Sequence, residues 1–221
     1  MVDRTYGVSE TGTRSVQAHK VLRNTYMLLS MTLLFSAVMA GVAMSMGIER
    51  MNIFVFFIGA YGLMFLVHKT ANSAAGLLST FAFTGFMGFT LGPTLSAYLT
   101  LANGSQLIMT ALAMTATTFV GLSAVALITR KDFSFLANFL MAGAIVLIVA
   151  MIVAMVFNIS GLALAVSAGF VLFSSALILY ETSQIIHGGQ TNYILATISL
   201  YVAIYNLFIS LLSLLGLSNS D

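Results

Sequence analysis

Apolar positions in this chain neither alternate nor fall every third or fourth residue; they run on almost unbroken. Seven such runs stand out, at roughly 22–46, 51–68, 74–98, 106–129, 134–156, 161–181 and 192–215. A helix rises about 1.5 Å per residue, so about 20 apolar residues cross a hydrocarbon core near 30 Å thick. Each run therefore predicts one membrane-spanning helix. A membrane β-barrel would instead show alternating segments of about ten residues. The breaks between runs, at 47–50, 69–73, 99–105, 130–133, 158–161 and 182–191, are too short to fold as domains. The expected architecture is an all-α membrane protein, a seven-helix bundle over 21–217 preceded by a flexible cytoplasmic tail over 1–20. No repeat relates the two halves, which counts against an inverted-repeat transporter.

Composition leaves a soluble alternative no room. Of 221 residues, 60% are hydrophobic and 6% charged, with a mean hydropathy of +1.05, against about 25% charged in soluble domains. The net charge of +2 points to no nucleic acid. The placement of the charge is informative. With the tail inside, the cytoplasmic side receives Arg4, Arg14, Lys20, Arg23, Lys69, Arg130 and Lys131, and the other side only Arg50. Such a bias sets orientation, so the N-terminus is expected in the cytoplasm and the C-terminus outside. Some twenty polar residues precede a first run too long for a signal peptide, which reads as a true span. The triplets at Asn103 and Asn158 fit a glycosylation pattern but hug the membrane and carry little weight.

Chemistry is sparse. With no Cys and three His, a dedicated zinc site is not expected. There is no phosphate loop, HExxH motif, acid pair or plausible Ser-His-acid triad. No enzyme, cofactor or resident metal is predicted. Gly85, Gly88 and Gly92 lie three and four apart on the third run before Pro93, the sole proline. They read first as a packing face with a kink, and second as a hinge beside a cavity. The many Met and Phe read as bundle filler. Glu181 closes the sixth run and is the one acidic residue touching a span after Glu49. A carboxylate at membrane depth is a functional candidate by default; the alternative is a solvated helix end. Asn192, Ser199, Asn206 and Ser213, seven apart, form one stripe on the last helix, with Ser210 beside it and Tyr201 and Tyr205 flanking it. The stripe predicts an inward polar face, serving as interhelical glue or lining a hydrated cavity. His68 and Lys69 end the second run on the side of Glu181, as anchors or as its cationic partner. His187 with Gly188 and Gly189 reads as loop.

These residues resemble a known family. The stretch from Leu177 through Tyr180-Glu181-Thr-Ser-Gln to Tyr193, then Ser199-Leu-Tyr-Val-Ala-Ile-Tyr-Asn-Leu-Phe208, is similar to the Bax inhibitor-1 signature. Thr80-Phe-Ala-Phe-Thr-Gly85 through Gly92-Pro93, Arg130-Lys-Asp-Phe-Ser-Phe135 and His19-Lys-Val-Leu-Arg-Asn-Thr-Tyr26 match as well. The resemblance implies a seven-helix bundle with the last helix central. It also implies a pH-sensitive calcium leak controlled by two aspartates sharing a proton. The first falls at Glu181; the second falls at Ala203, which has no carboxyl to share. The arginine that latches the first aspartate falls at His68. One bacterial branch implies instead a modulator and slow substrate of the inner-membrane protease FtsH, which grips flexible tails such as 1–20. That branch is the expected function, in the bacterial inner membrane. A calcium or proton leak gated near Glu181 is the alternative, and a small-molecule transporter a weaker third.

Overall fold

The computed structural model describes residues 5–217, with side chains described for 16–216. The expected tail over 1–20 lies mostly outside the described side chains, but its backbone is helical from Thr5 onward, continuous with the first span, where a flexible segment was expected. Seven helices follow one another: α1 (Thr5–Ser45), α2 (Ile53–Thr70), α3 (Ala75–Leu99), α4 (Gly104–Thr129), α5 (Leu136–Val156), α6 (Ser160–Ile186) and α7 (Tyr193–Leu217). All seven are long and apolar enough to cross a membrane, and there is no strand among the described residues. The protein is a multi-pass membrane protein.

Burial inverts the pattern of a soluble bundle. Large apolar side chains such as Phe54, Ile58, Ile128, Ile145 and Leu172 face outward, where lipid replaces water as the solvent. Thr25, Thr32, Ser36, Thr80 and Thr84 point inward and are buried. Small and hydroxylic residues mark the interior because lipid gives no hydrophobic drive, so helices gain by approaching closely. Most of these hydroxyls donate to a carbonyl one turn back, as Thr80 does to Gly76 (2.7 Å) and Thr84 to Thr80 (2.9 Å).

Helix α7 occupies the centre. It packs against α1, α2, α3, α4 and α6, while the backbone of α5 approaches only α6 and the backbones of α1 and α4 stay apart. More of α7 is buried than of any other span, and Tyr201, Leu200 and Leu207 are fully enclosed. The tightest seam joins α1 to α3. A Cβ on Gly88 would collide with the Ser36 carbonyl, and one on Gly92 would come within 2.8 Å of the Ala40 carbonyl. Gly85 lies under the Phe35 ring. The glycine row and the buried Pro93 are therefore a packing face. Those backbones approach so closely only because the side chains are missing.

Short, specific turns close the bundle. The Asn192 side chain accepts from the N–H groups of Ile194 (2.9 Å) and Leu195 (3.3 Å), capping α7. Its amide donates to the Ala71 carbonyl (3.0 Å) and to Asn72 (2.8 Å), tying the α2–α3 turn to α7. Arg130 ends α4 in the left-handed conformation, φ 48°. Asp132 then accepts from the Ser134 N–H (2.8 Å) and hydroxyl (2.5 Å), shaping the entry to α5.

Candidate functional site: the α6–α7 seam

Helix α6 runs five residues past its expected end at 181, because Ile185 is fully buried and keeps the turn in the bundle. Glu181 accordingly sits inside the helix, not at a frayed end. Its carboxyl is partly buried and lies near the hydroxyl of Ser199 on α7. Among the described residues no cation acts on it. His68 is exposed and its Nδ1 faces the Met64 carbonyl of its own helix (2.8 Å). Lys69 is exposed too. Helix α2 rests on α3 and α7 and makes no contact with α6, so the structure does not bring His68 or Lys69 to Glu181.

The polar stripe of α7 divides its tasks. Asn192 caps the helix, Ser199 meets Glu181, and Ser213 accepts from Ser167 of α6 (3.3 Å). Asn206 and Ser210 line a hollow of about 310 Å³ shared with Ser167 and Phe170 of α6. Most of the stripe thus serves to join α6 to α7. The flanking tyrosines look the other way. The Tyr201 hydroxyl accepts from Ser36 of α1 (2.6 Å) and donates to the Thr84 carbonyl of α3 (3.2 Å). Its ring lies edge-on to Phe83 and stacks on Tyr205, whose hydroxyl lies near Thr90. Both line a largely apolar cavity of about 460 Å³ bounded by α1, α3, α4 and α7. Ala203 is fully buried in an apolar cluster with Ile178, Leu207 and Phe208.

One set of residues went unread in the sequence. His187, expected in a loop, caps α6 and brings Nε2 to the Arg130 carbonyl (3.2 Å). Ser183 accepts from the Phe133 N–H (3.0 Å), and Gln184 donates to the Ser134 hydroxyl (2.9 Å). Together they clasp the α4–α5 turn to the end of α6. The available signal was the polar run Thr182-Ser-Gln with His187 one turn beyond. The buried hydroxyls of Thr25, Tyr26, Ser123, Ser174 and Thr182 have no partner. Groups of that kind are met by ordered water in native proteins. Among the described residues no cluster could hold a metal ion.

The seam thus offers one carboxyl against a hydroxyl, and no second acid. The family model described as inhibitor of apoptosis-promoting Bax1 matches residues 18–220. The chain belongs to this Bax inhibitor family. It is 57% identical to an uncharacterized protein of Pseudomonas aeruginosa and 50% identical to the Escherichia coli K12 protein named modulator of FtsH protease YccA. Both matches span 100% of each chain. An uncharacterized membrane protein of Vibrio cholerae is 46% identical over 94% of each chain. Within the Bax inhibitor family frame, this member has Glu181 on its sixth helix and Ala203 on its seventh.

Proposed function

We propose that the chain is a multi-pass protein of the bacterial inner membrane that binds and restrains a membrane-anchored protease of the FtsH type, as a slowly processed substrate. The observation that carries this reading is the 50% identity, end to end, with the Escherichia coli modulator of FtsH protease. The basic residues of one end, Lys20, Arg23, Lys69, Arg130 and Lys131, support an orientation with the N-terminus in the cytoplasm and the C-terminus in the periplasm. Residues 1–20 are then the handle that the protease grips. Deleting residues 1–14 is expected to lengthen the half-life of the protein in cells several-fold while the bundle still inserts and folds. Unchanged turnover of a folded truncation would contradict the handle.

A second reading is a pH-sensitive calcium or proton leak through the α6–α7 seam. The partly buried Glu181 and the unpartnered hydroxyls of Ser174 and Thr182 on the same helix favour it. A single carboxyl suits a proton better than calcium, which gathers about 6–8 oxygen ligands. In liposomes this reading expects pH-dependent flux that Glu181→Gln abolishes. Flux equal to that of empty vesicles for both ions ends it.

A further inference from the structure

Helices α1 and α4 both lean on α6, while their own backbones stay apart. At the end of the bundle that carries most basic residues, the gap between them is a slot of about 270 Å³. Its walls are apolar: Leu22 from α1, Leu127 from α4 and Ile186 from α6. Its rim is nitrogenous: His19 from α1, Arg130 closing α4 and His187 closing α6. Further into the membrane the Tyr26 and Phe119 rings meet at 5.8 Å across the same two helices. Lys20, Arg23 and Lys131 are exposed beside it in the chain. A nearby carboxylate, Asp132, lies close enough to His187 to feel its charge but is taken up by both Ser134 donors.

An apolar slot opening between two membrane helices beneath a cationic rim matches one kind of molecule. We propose that it holds a phospholipid with an anionic headgroup. The phosphate meets the guanidinium of Arg130 and the imidazole of His19, an acyl chain lies between Leu22 and Leu127, and His187, whose two ring nitrogens face the Ser183 and Arg130 carbonyls, only borders the slot. Arginine binds phosphate through two parallel N–H donors, and basic pockets between membrane helices select anionic headgroups. Arg130 is also the residue whose carbonyl His187 contacts. A bound headgroup therefore braces the α4–α5 turn against α6.

The chain contains no Trp, so one introduced Trp reports alone. Leu22→Trp in the full-length protein, reconstituted into vesicles, is quenched by brominated phosphatidylglycerol or, separately, by brominated phosphatidylcholine. The slot predicts several-fold stronger association for the anionic lipid at Leu22→Trp and parity for Ile145→Trp, on the outward face of α5. Arg130→Asn, which removes the charge but tolerates the left-handed backbone, returns Leu22→Trp to parity; His19→Gln serves if that variant does not fold. Equal quenching by the two lipids at Leu22→Trp overturns the proposal, as does a preference that survives Arg130→Asn. Inorganic phosphate at matched ionic strength leaves the preference intact. If it erases the preference, the rim takes bare phosphate and the lipid site falls.

Discussion

Two seams of this bundle are built from similar residues and do different things. Between α1 and α3, glycines face backbone carbonyls, and the seryl and threonyl hydroxyls donate mostly to their own helices. Between α6 and α7, a carboxyl meets a serine and two serines pair, and on α6 itself the buried hydroxyls of Ser174 and Thr182 go without protein partners. The first seam has no room to change. The second keeps polar groups at membrane depth, which costs free energy unless those groups are used. Close packing marks scaffold, and incompletely satisfied polarity marks the place where chemistry or hydration belongs.

The sharpest way to break this contrast is at Gly88. Adding a methyl there drives Cβ into the Ser36 carbonyl, which no rotamer relieves, so Gly88→Ala should cost about 3 kcal/mol, the upper end for overpacking. Gly62→Ala, where nothing lies within 4 Å of the added Cβ, should be neutral or gain a few tenths of a kcal/mol. Thermal melts of the purified variants in one detergent read both.

Next in size is the polar seam itself. Ser199→Ala leaves the Glu181 carboxyl without its hydroxyl partner and should destabilise by about 1–3 kcal/mol, whereas Ser199→Thr should retain most of the contact. Denaturant titration by far-ultraviolet dichroism distinguishes them. If Ser199→Ala melts like the parent protein, Glu181 is solvated and the seam is ordinary helix glue.

Smaller effects sit at the centre and the edge. Tyr201→Phe removes the bonds to Ser36 and Thr84 but keeps the ring, and should cost about 0.6–1.5 kcal/mol, as hydrogen bonds between membrane helices do. His68→Ala, at an exposed site that touches only its own helix, should lie within about 0.5 kcal/mol of the parent. A larger loss would point to a latch to Glu181 that the structure does not contain.

The smallest expected effect concerns acid. The Ser134 hydroxyl and N–H hold the Asp132 carboxyl below the usual carboxylate range, with a further push from His187. A depressed value means that the turn is favoured above about pH 4, the unfolded value, and loses that support as pH falls through the lower folded value. Hydrogen exchange over 130–135 should be flat from pH 7 to pH 5, after correction for intrinsic rates, and should rise only in stronger acid. Protection already lost by pH 6 would contradict the assignment.

The number of spans, the single bundle and the central seventh helix could all be read before any coordinates. Continuous apolar runs leave few other folds, and the Bax inhibitor resemblance placed α7. The inward direction of the α7 stripe was legible too, since Asn206 facing lipid would be costly. Partnership was not legible. His68 and Glu181 share an end of the bundle, but sharing a depth does not bring helices into contact, and α2 turns out to border α3 and α7 only. Charge also hid the extent of α6. The run appears to stop at Glu181, yet Ile185 returns it to the core four residues later. His187 was missed because flanking glycines read as loop, while its role comes from carbonyls some fifty residues away in the chain.

The most direct test of the functional account is reconstitution of the purified chain with an FtsH-type protease in proteoliposomes, following degradation of a second membrane substrate. The account predicts that the intact protein slows that degradation in proportion to its concentration, and that the form lacking residues 1–14 slows it far less. Degradation that proceeds at the same rate with and without the chain would contradict it.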